Sequence, residues 1–146
     1  MPRGFLVTPV LLAGLLLAGL APAEAQTAPS PLRIELNRLE AREGACRVWM
    51  VLNNGGPEAL DPLRLDLVLF GKDGVVSRRL AVDAGPLPAG RTVVRLFDLT
   101  GQGCDTVGSL LLNDIIACGN TEADARNACV ARSVLASRVA GVTFEK

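Results

Sequence analysis

The sequence has no His and no Tyr, a single Trp and only two Lys in 146 residues. Without His there is no Ser-His-Asp or Cys-His nucleophile, no His-bearing zinc site and no imidazole acid or base. Neither sign of charge is in excess, with 15 Lys+Arg against 15 Asp+Glu, so the electrostatic footprint of a nucleic-acid binder is missing. No Cys-x-x-Cys occurs, which removes the usual redox dithiol and the common zinc-ligand spacing. No D-x-D-x-D-G loop marks a calcium site. A carboxylate-based hydrolase is the one catalytic style this inventory readily permits, and no metal or other cofactor is implied.

What is present begins with an export signature. Residues 1–25 combine Arg3, an apolar run over residues 11–20 and the A-x-A sequence Ala23-Glu24-Ala25, the three parts of a cleavable secretory signal. The mature chain is then expected to start at Gln26. Pro9 and Pro22 bound the apolar run and leave it short of the ~20 residues of a membrane span. No stable span is expected after cleavage. No Cys follows the cleavage site to carry a lipid, and the lone Arg3 does not make a twin-Arg signal. The expected compartment is the periplasm, reached by a Sec-type route. Removing Arg3 and Glu24 with the signal keeps the charge balance even. The scattered Arg residues, matched by acids, read as compositional bias rather than an anion site.

Cys46, Cys104, Cys118 and Cys129 all follow the signal. An even number of Cys in an exported domain points to disulfides. Three connectivities are possible and spacing alone does not choose. The expected arrangement is a short Cys118–Cys129 loop with Cys46–Cys104 as a long tie. That tie would close ~60 residues and contribute about 4 kcal/mol by chain entropy.

Residues 26–31 are polar and Pro-containing, and are expected to form a flexible leader. From residue 32 the pattern has period two. Leu32, Ile34 and Leu36 alternate with Arg33, Glu35 and Asn37, and the same holds for Cys46–Leu52 and Leu63–Phe70. This is the mark of strands with one face in a core. Further strands are expected over residues 75–82 and 92–99. Asn53–Pro57, Lys72-Asp73-Gly74 and Gly85–Gly90 supply the breaks between them, the second as a tight hairpin. Residues 110–116 fit a helical stripe or a buried strand, and their shortness favours the strand. A short helix is expected over residues 122–126, capped by Asn120 or Thr121. Residues 139–144 are expected to supply a last strand. Together these give a single domain over residues 32–146. Its expected fold is an all-β, antiparallel Ig-like sandwich of about seven strands, with a short helical insert near the C-terminus and disulfide staples.

Several strings carry a family resemblance. Val51-Leu52-Asn53-Asn54, the run from Leu65 to Gly74 and Leu87-Pro88-Ala89-Gly90 follow one another as the strand ends and turns of FxLYD-type modules do. Residues 32–98 thus resemble the Ig-like domains of bacterial secreted and envelope proteins. Phe70 stands where those modules usually have Tyr, and Gly71 where Asp is usual. With Ile34–Asn37, Ala45-Cys46-Arg47 and Leu111–Asp114, the whole of residues 32–146 is similar to a family of small, uncharacterised periplasmic proteins of alphaproteobacterial type. The resemblance implies a fold and a compartment, and no catalytic residues.

Three features remain as candidates for a site. Trp49 falls on the strand face opposite Cys46, Val48 and Met50; it is either a contact residue or core, and the usual burial of large aromatics favours core. Arg78-Arg79 is the one paired basic spot, available to an acidic partner or lipid head group, though a solvated strand end explains it as well. Asn113-Asp114 interrupts an apolar run, as a polar site or as a bulge whose side chains satisfy local backbone. The Asp residues, Asp66 and Asp73 among them, read as turn and outward strand positions. The expectation is a non-enzymatic periplasmic module working by protein contact with an envelope protein. The alternative is a small ligand-binding protein or a carboxylate-based hydrolase.

Overall fold

A computed structural model describes Met1, Gly4 and residues 28–146. Apart from Met1 and Gly4, the segment assigned to the signal lies outside the described residues. The strands are β1 (Leu32–Arg42), β2 (Ala45–Asn54), β3 (Leu63–Gly71), β4 (Val76–Asp83), β5 (Thr92–Thr100), β6 (Val107–Cys118), β7 (Ser133–Ser137) and β8 (Thr143–Glu145). A 3-10 turn (Cys104–Thr106) precedes β6, and one helix, α1 (Ala123–Arg132), precedes β7. They form two four-stranded sheets, ordered β5-β2-β1-β7 and β4-β3-β6-β8, an all-β sandwich.

The alternating residues meet between the sheets. Leu32, Ile34, Leu36, Val48, Met50 and Leu52 from one sheet are buried against Leu63, Leu65, Leu67, Leu69, Leu112 and Ile115 of the other. Residues of opposite parity face outward, because successive Cβ atoms alternate across a strand. The β3–β4 turn follows its chemistry: Gly74 takes φ +78°, and the Val75 N–H donates to Asp73 Oδ1, as an Asx turn requires. Asn54 closes β2 from a fully buried position. Its Nδ2 donates to the Glu58 carbonyl at 2.7 Å and its Oδ1 accepts from the Gly56 N–H at 3.0 Å. The expected 53–57 break is thus held by its own side chain.

Residues 110–116 lie within β6, as a strand. One outermost pairing of each sheet is parallel, β1 with β7 and β6 with β8, where an antiparallel arrangement was expected throughout. The reason is connectivity. β7 arrives through α1 and β8 through a turn at Gly141 that crosses between the sheets, and a strand delivered by a crossover can run parallel to its neighbour. β7 has no counterpart among the expected elements. Helix α1 runs on to Arg132, beyond the expected span. Its N-cap is Glu122, which makes no side-chain cap; Asn120 Oδ1 instead accepts from the Glu122 N–H one turn earlier. The leader is held from Ser30 onward, since the Ser30 carbonyl accepts from Arg132 and the Pro31 carbonyl from the Gly55 N–H.

Two disulfides are present, Cys46–Cys104 and Cys118–Cys129. Each sits where the chain passes between sheets around β6. The first holds the 3-10 turn that carries the chain from β5 to β6. The second holds α1, which carries it from β6 to β7.

Candidate functional site

The outer face of the β5-β2-β1-β7 sheet gathers the most distinctive side chains. In register, Trp49 lies beside Leu96 of β5 and Arg38 of β1, and Val51 lies beside Val94 and Glu35. Val94 and Leu96 are 46% and 45% exposed, while Trp49 and Val51 are half-buried. The Trp49 indole is fixed. Its Nε1–H donates to Glu40 Oε2 at 2.9 Å, and the Arg38 guanidinium sits 5.2 Å from the ring centroid, in cation–π range. Trp49 is therefore not the core residue favoured from sequence, because an outward position on β2 has no second layer over it.

A charged rim surrounds this apolar centre. Glu40 also receives Arg38 at 2.9 Å and Arg42 at 3.1 Å. Arg47 forks onto Asp98 with bonds of 2.7 and 2.9 Å. The Trp49 hydrogen bond, with Arg42 and Arg38 beside it, holds the Glu40 carboxyl below the usual carboxylate range, and the Arg47 fork does the same for Asp98. The rim is ionised and self-paired at neutral pH. Arg38, Glu40, Val94 and Leu96 were not singled out from sequence. The alternation of β5 marks Val94 and Leu96 as same-face residues, but only strand register brings them to Trp49.

Arg78 and Arg79 do not act as a pair. As neighbours on β4 they point to opposite faces. Arg78 Nη2 donates to the Thr100 carbonyl of β5 at 2.8 Å. Arg79 forks onto Asp66 at 2.8 and 2.6 Å. The Asp66 side chain is only 6% exposed, although it faces outward as expected, because Arg79 and Asn113 close over it. Asn113 Nδ2 donates to Asp66 Oδ2 at 2.6 Å. Asn113 is the extra residue of a bulge, since the register slips between Asp66–Asp114 and Leu67–Leu112. Its side chain satisfies a carboxylate rather than local backbone. Asp114 does bond locally, accepting from the Ile115 N–H.

Asp66 and Asp114 are opposite one another across β3 and β6. Their surroundings suit ion pairing. The Arg79 hydrogen bonds, aided by Asn113, hold Asp66 below the usual range, whereas a general acid needs a raised pKa. Asp114 lies 3.6 Å from Arg126.

The larger depressions lie elsewhere. One of about 600 Å³ opens between the β1–β2 turn and the segment after β5, lined by Arg42, Gly44, Gly101, Cys104 and Asp105. Another of about 290 Å³ is lined by Phe70, Ser109 and Thr143, and one of about 260 Å³ by Ser30, Pro57, Glu58 and Arg132; burial pushes the Arg132 guanidinium down. A gap of about 10 Å³ among Leu36, Val48, Phe97 and Leu110 is far below ligand size. Among the described residues no group of His, Cys, Asp and Glu converges as a metal site, and no helix is long and apolar enough to cross a membrane. No family model, curated protein or solved structure matches the chain.

Proposed function

We propose that this protein is an exported, non-enzymatic Ig-like module of the periplasm that works by contact with an envelope protein, through the outer face of the β5-β2-β1-β7 sheet. The observation that carries this reading is the composition of that face. A pre-positioned Trp, with Val51, Val94 and Leu96 beside it, stands inside a rim of Arg38, Arg47, Glu40 and Asp98. Contact surfaces are enriched in Trp and Arg, with an apolar centre and a polar rim. The indole is already held by Glu40 and Arg38, so little rotamer freedom remains to be lost on docking. The signal-like N-terminus and the two disulfides support export.

Cross-linking in the native envelope followed by capture tests this. A reproducible partner is expected, weakened by Trp49→Ala and by Val51→Arg but unaffected by Arg64→Ala on the other sheet. Recovering no partner under several cross-linking chemistries, or a partner indifferent to both face variants, would refute it.

A further inference from the structure

The outward edge of β5 is open in one window. The Asn54 N–H donates to the Arg91 carbonyl, and residues 54 and 91 continue the β2–β5 register. Bonded pairs alternate along an antiparallel ladder. Residues 93, 95, 97 and 99 therefore turn their peptide groups toward β2. Thr92, Val94, Leu96, Asp98 and Thr100 turn theirs to the free edge. The Thr100 carbonyl confirms this parity, since it is taken by Arg78 from outside the sheet. Mid-strand, the Arg95 side chain reaches across to the carbonyls of Ala84 and Pro86. The flank is thus tied to the β4 side at Thr100 and through the Arg95 side chain. Between these ties, the N–H and C=O groups of Leu96 and Asp98 have no hydrogen-bond partner among the described residues. The Val94 carbonyl has only a long 3.4 Å contact from Arg95.

An unpaired strand edge is a template for another strand. This window is centred on Leu96, so its own copy fits it. We propose that two copies of this chain pair antiparallel along β5, about a two-fold axis at Leu96. Leu96 then faces Leu96 of the second copy, and Val94 faces Asp98 in each direction. Every open peptide group of the window gains a partner, while Thr100 keeps its Arg78 bond. On the outer face the two Leu96 side chains join the two Trp49 side chains into one row across the axis. The even charge, 15 against 15, sets no long-range repulsion between copies. Such an interface is isologous. The paired dimer would present the Trp49 face twice, on one continuous sheet.

Sedimentation velocity and cysteine cross-linking test the pairing on the oxidised protein. The expected result is a monomer–dimer equilibrium whose dimer share rises with concentration. Leu96→Pro removes an edge N–H that β2 does not use, so it should give a monomer with an unchanged far-ultraviolet spectrum. Leu96→Cys should form an inter-chain disulfide on mild oxidation, because facing residues of a bonded pair have Cα atoms about 5.5 Å apart. Val134→Cys, 44% exposed on the opposite edge strand β7, should keep the same monomer–dimer equilibrium and form no inter-chain disulfide. A monomer at every concentration overturns the proposal, as does Leu96→Cys cross-linking no faster than Val134→Cys. If Leu96→Pro fails to fold, the cysteine pair still decides. A monomer that captures an envelope partner through Trp49 would remove this pairing and leave the proposed function standing.

Discussion

The two disulfides close loops of very different length, and that difference has a measurable size. Cys46 and Cys104 are 58 residues apart and Cys118 and Cys129 are 11 apart. Loop-closure entropy grows with the logarithm of loop length, which gives about 4 kcal/mol for the long tie and about 3 kcal/mol for the short one. Mutation alone would confuse this with packing. Cys46 is fully buried, and truncating it adds a cavity cost. The cleaner design removes one disulfide by paired Cys→Ala changes, then measures the other by urea unfolding with and without a reductant. Reduction turns the remaining S–S bond into two thiols and keeps both sulfur atoms in place. In the Cys118→Ala/Cys129→Ala background, reduction should cost about 4 kcal/mol; in the Cys46→Ala/Cys104→Ala background, about 3 kcal/mol. The urea m-value should rise on reduction in both, more so for the long loop, because an uncross-linked denatured chain exposes more surface. Equal costs, or a larger cost for the short loop, would refute loop length as the source of the stabilisation. They would place it instead in how each tie holds its crossover in the folded state.

Three further outcomes follow from the geometry. Arg79→Ala leaves the Asp66 carboxylate with Asn113 alone. Because the Arg79 side chain is 67% exposed, the loss should be a measurable drop in urea midpoint, well short of that for breaking a fully buried pair. Combined with Asp66→Ala it should cost less than the sum of the two in urea unfolding, and strict additivity would deny the coupling. Acid should destabilise the fold: Glu35, Glu40, Asp66 and Asp98 all lie below their ordinary values. The stability they contribute is fully present above the unfolded values, near pH 4, and is lost as pH falls through the lower folded ones. Urea midpoints should hold from pH 7 to 5 and drop toward pH 3; a midpoint that rises on acidification would contradict these pairings. Gly108→Ala should lower the melting temperature sharply, since a Cβ there would overlap the Gly71 carbonyl of β3, and backbone cannot yield as a side chain does; a neutral substitution would deny that close approach.

Where one side chain in two enters the core, the sequence pattern read correctly. β1 to β5 follow from their Leu and Val alternation, and the turns between them from Asn, Asp and Gly chemistry. β7 did not announce itself. Ser133–Ser137 is five residues long with Leu135 half-buried, too short for alternation to stand out, and it follows α1 without a Gly or Pro break. Its pairing with β1 depends on a crossover, which no local pattern encodes. Asp66 misled for a different reason. Its outward parity was legible, but its burial comes from Arg79 on β4 and Asn113 in the β6 bulge. These neighbours become visible only once both registers are known.

The candidate face shows how much one backbone irregularity decides. Up to Leu36 the β1–β2 register would continue to place Asn37 beside Trp49. A shift between Leu36 and Arg38 makes Asn37 the extra residue of a bulge, and its side chain turns back to Glu35. Beyond it the parity of β1 inverts, so that Leu39 packs against the core and Arg38 and Glu40 face outward. Without that inversion Leu39 would stand on the outer face, and the guanidinium and carboxylate that hold the indole would point toward the core. The Trp49 site is thus the product of a strand pattern that is legible and a one-residue bulge that is not. The bulge supplies the ionised rim, while the pattern supplies the Trp and its apolar neighbours.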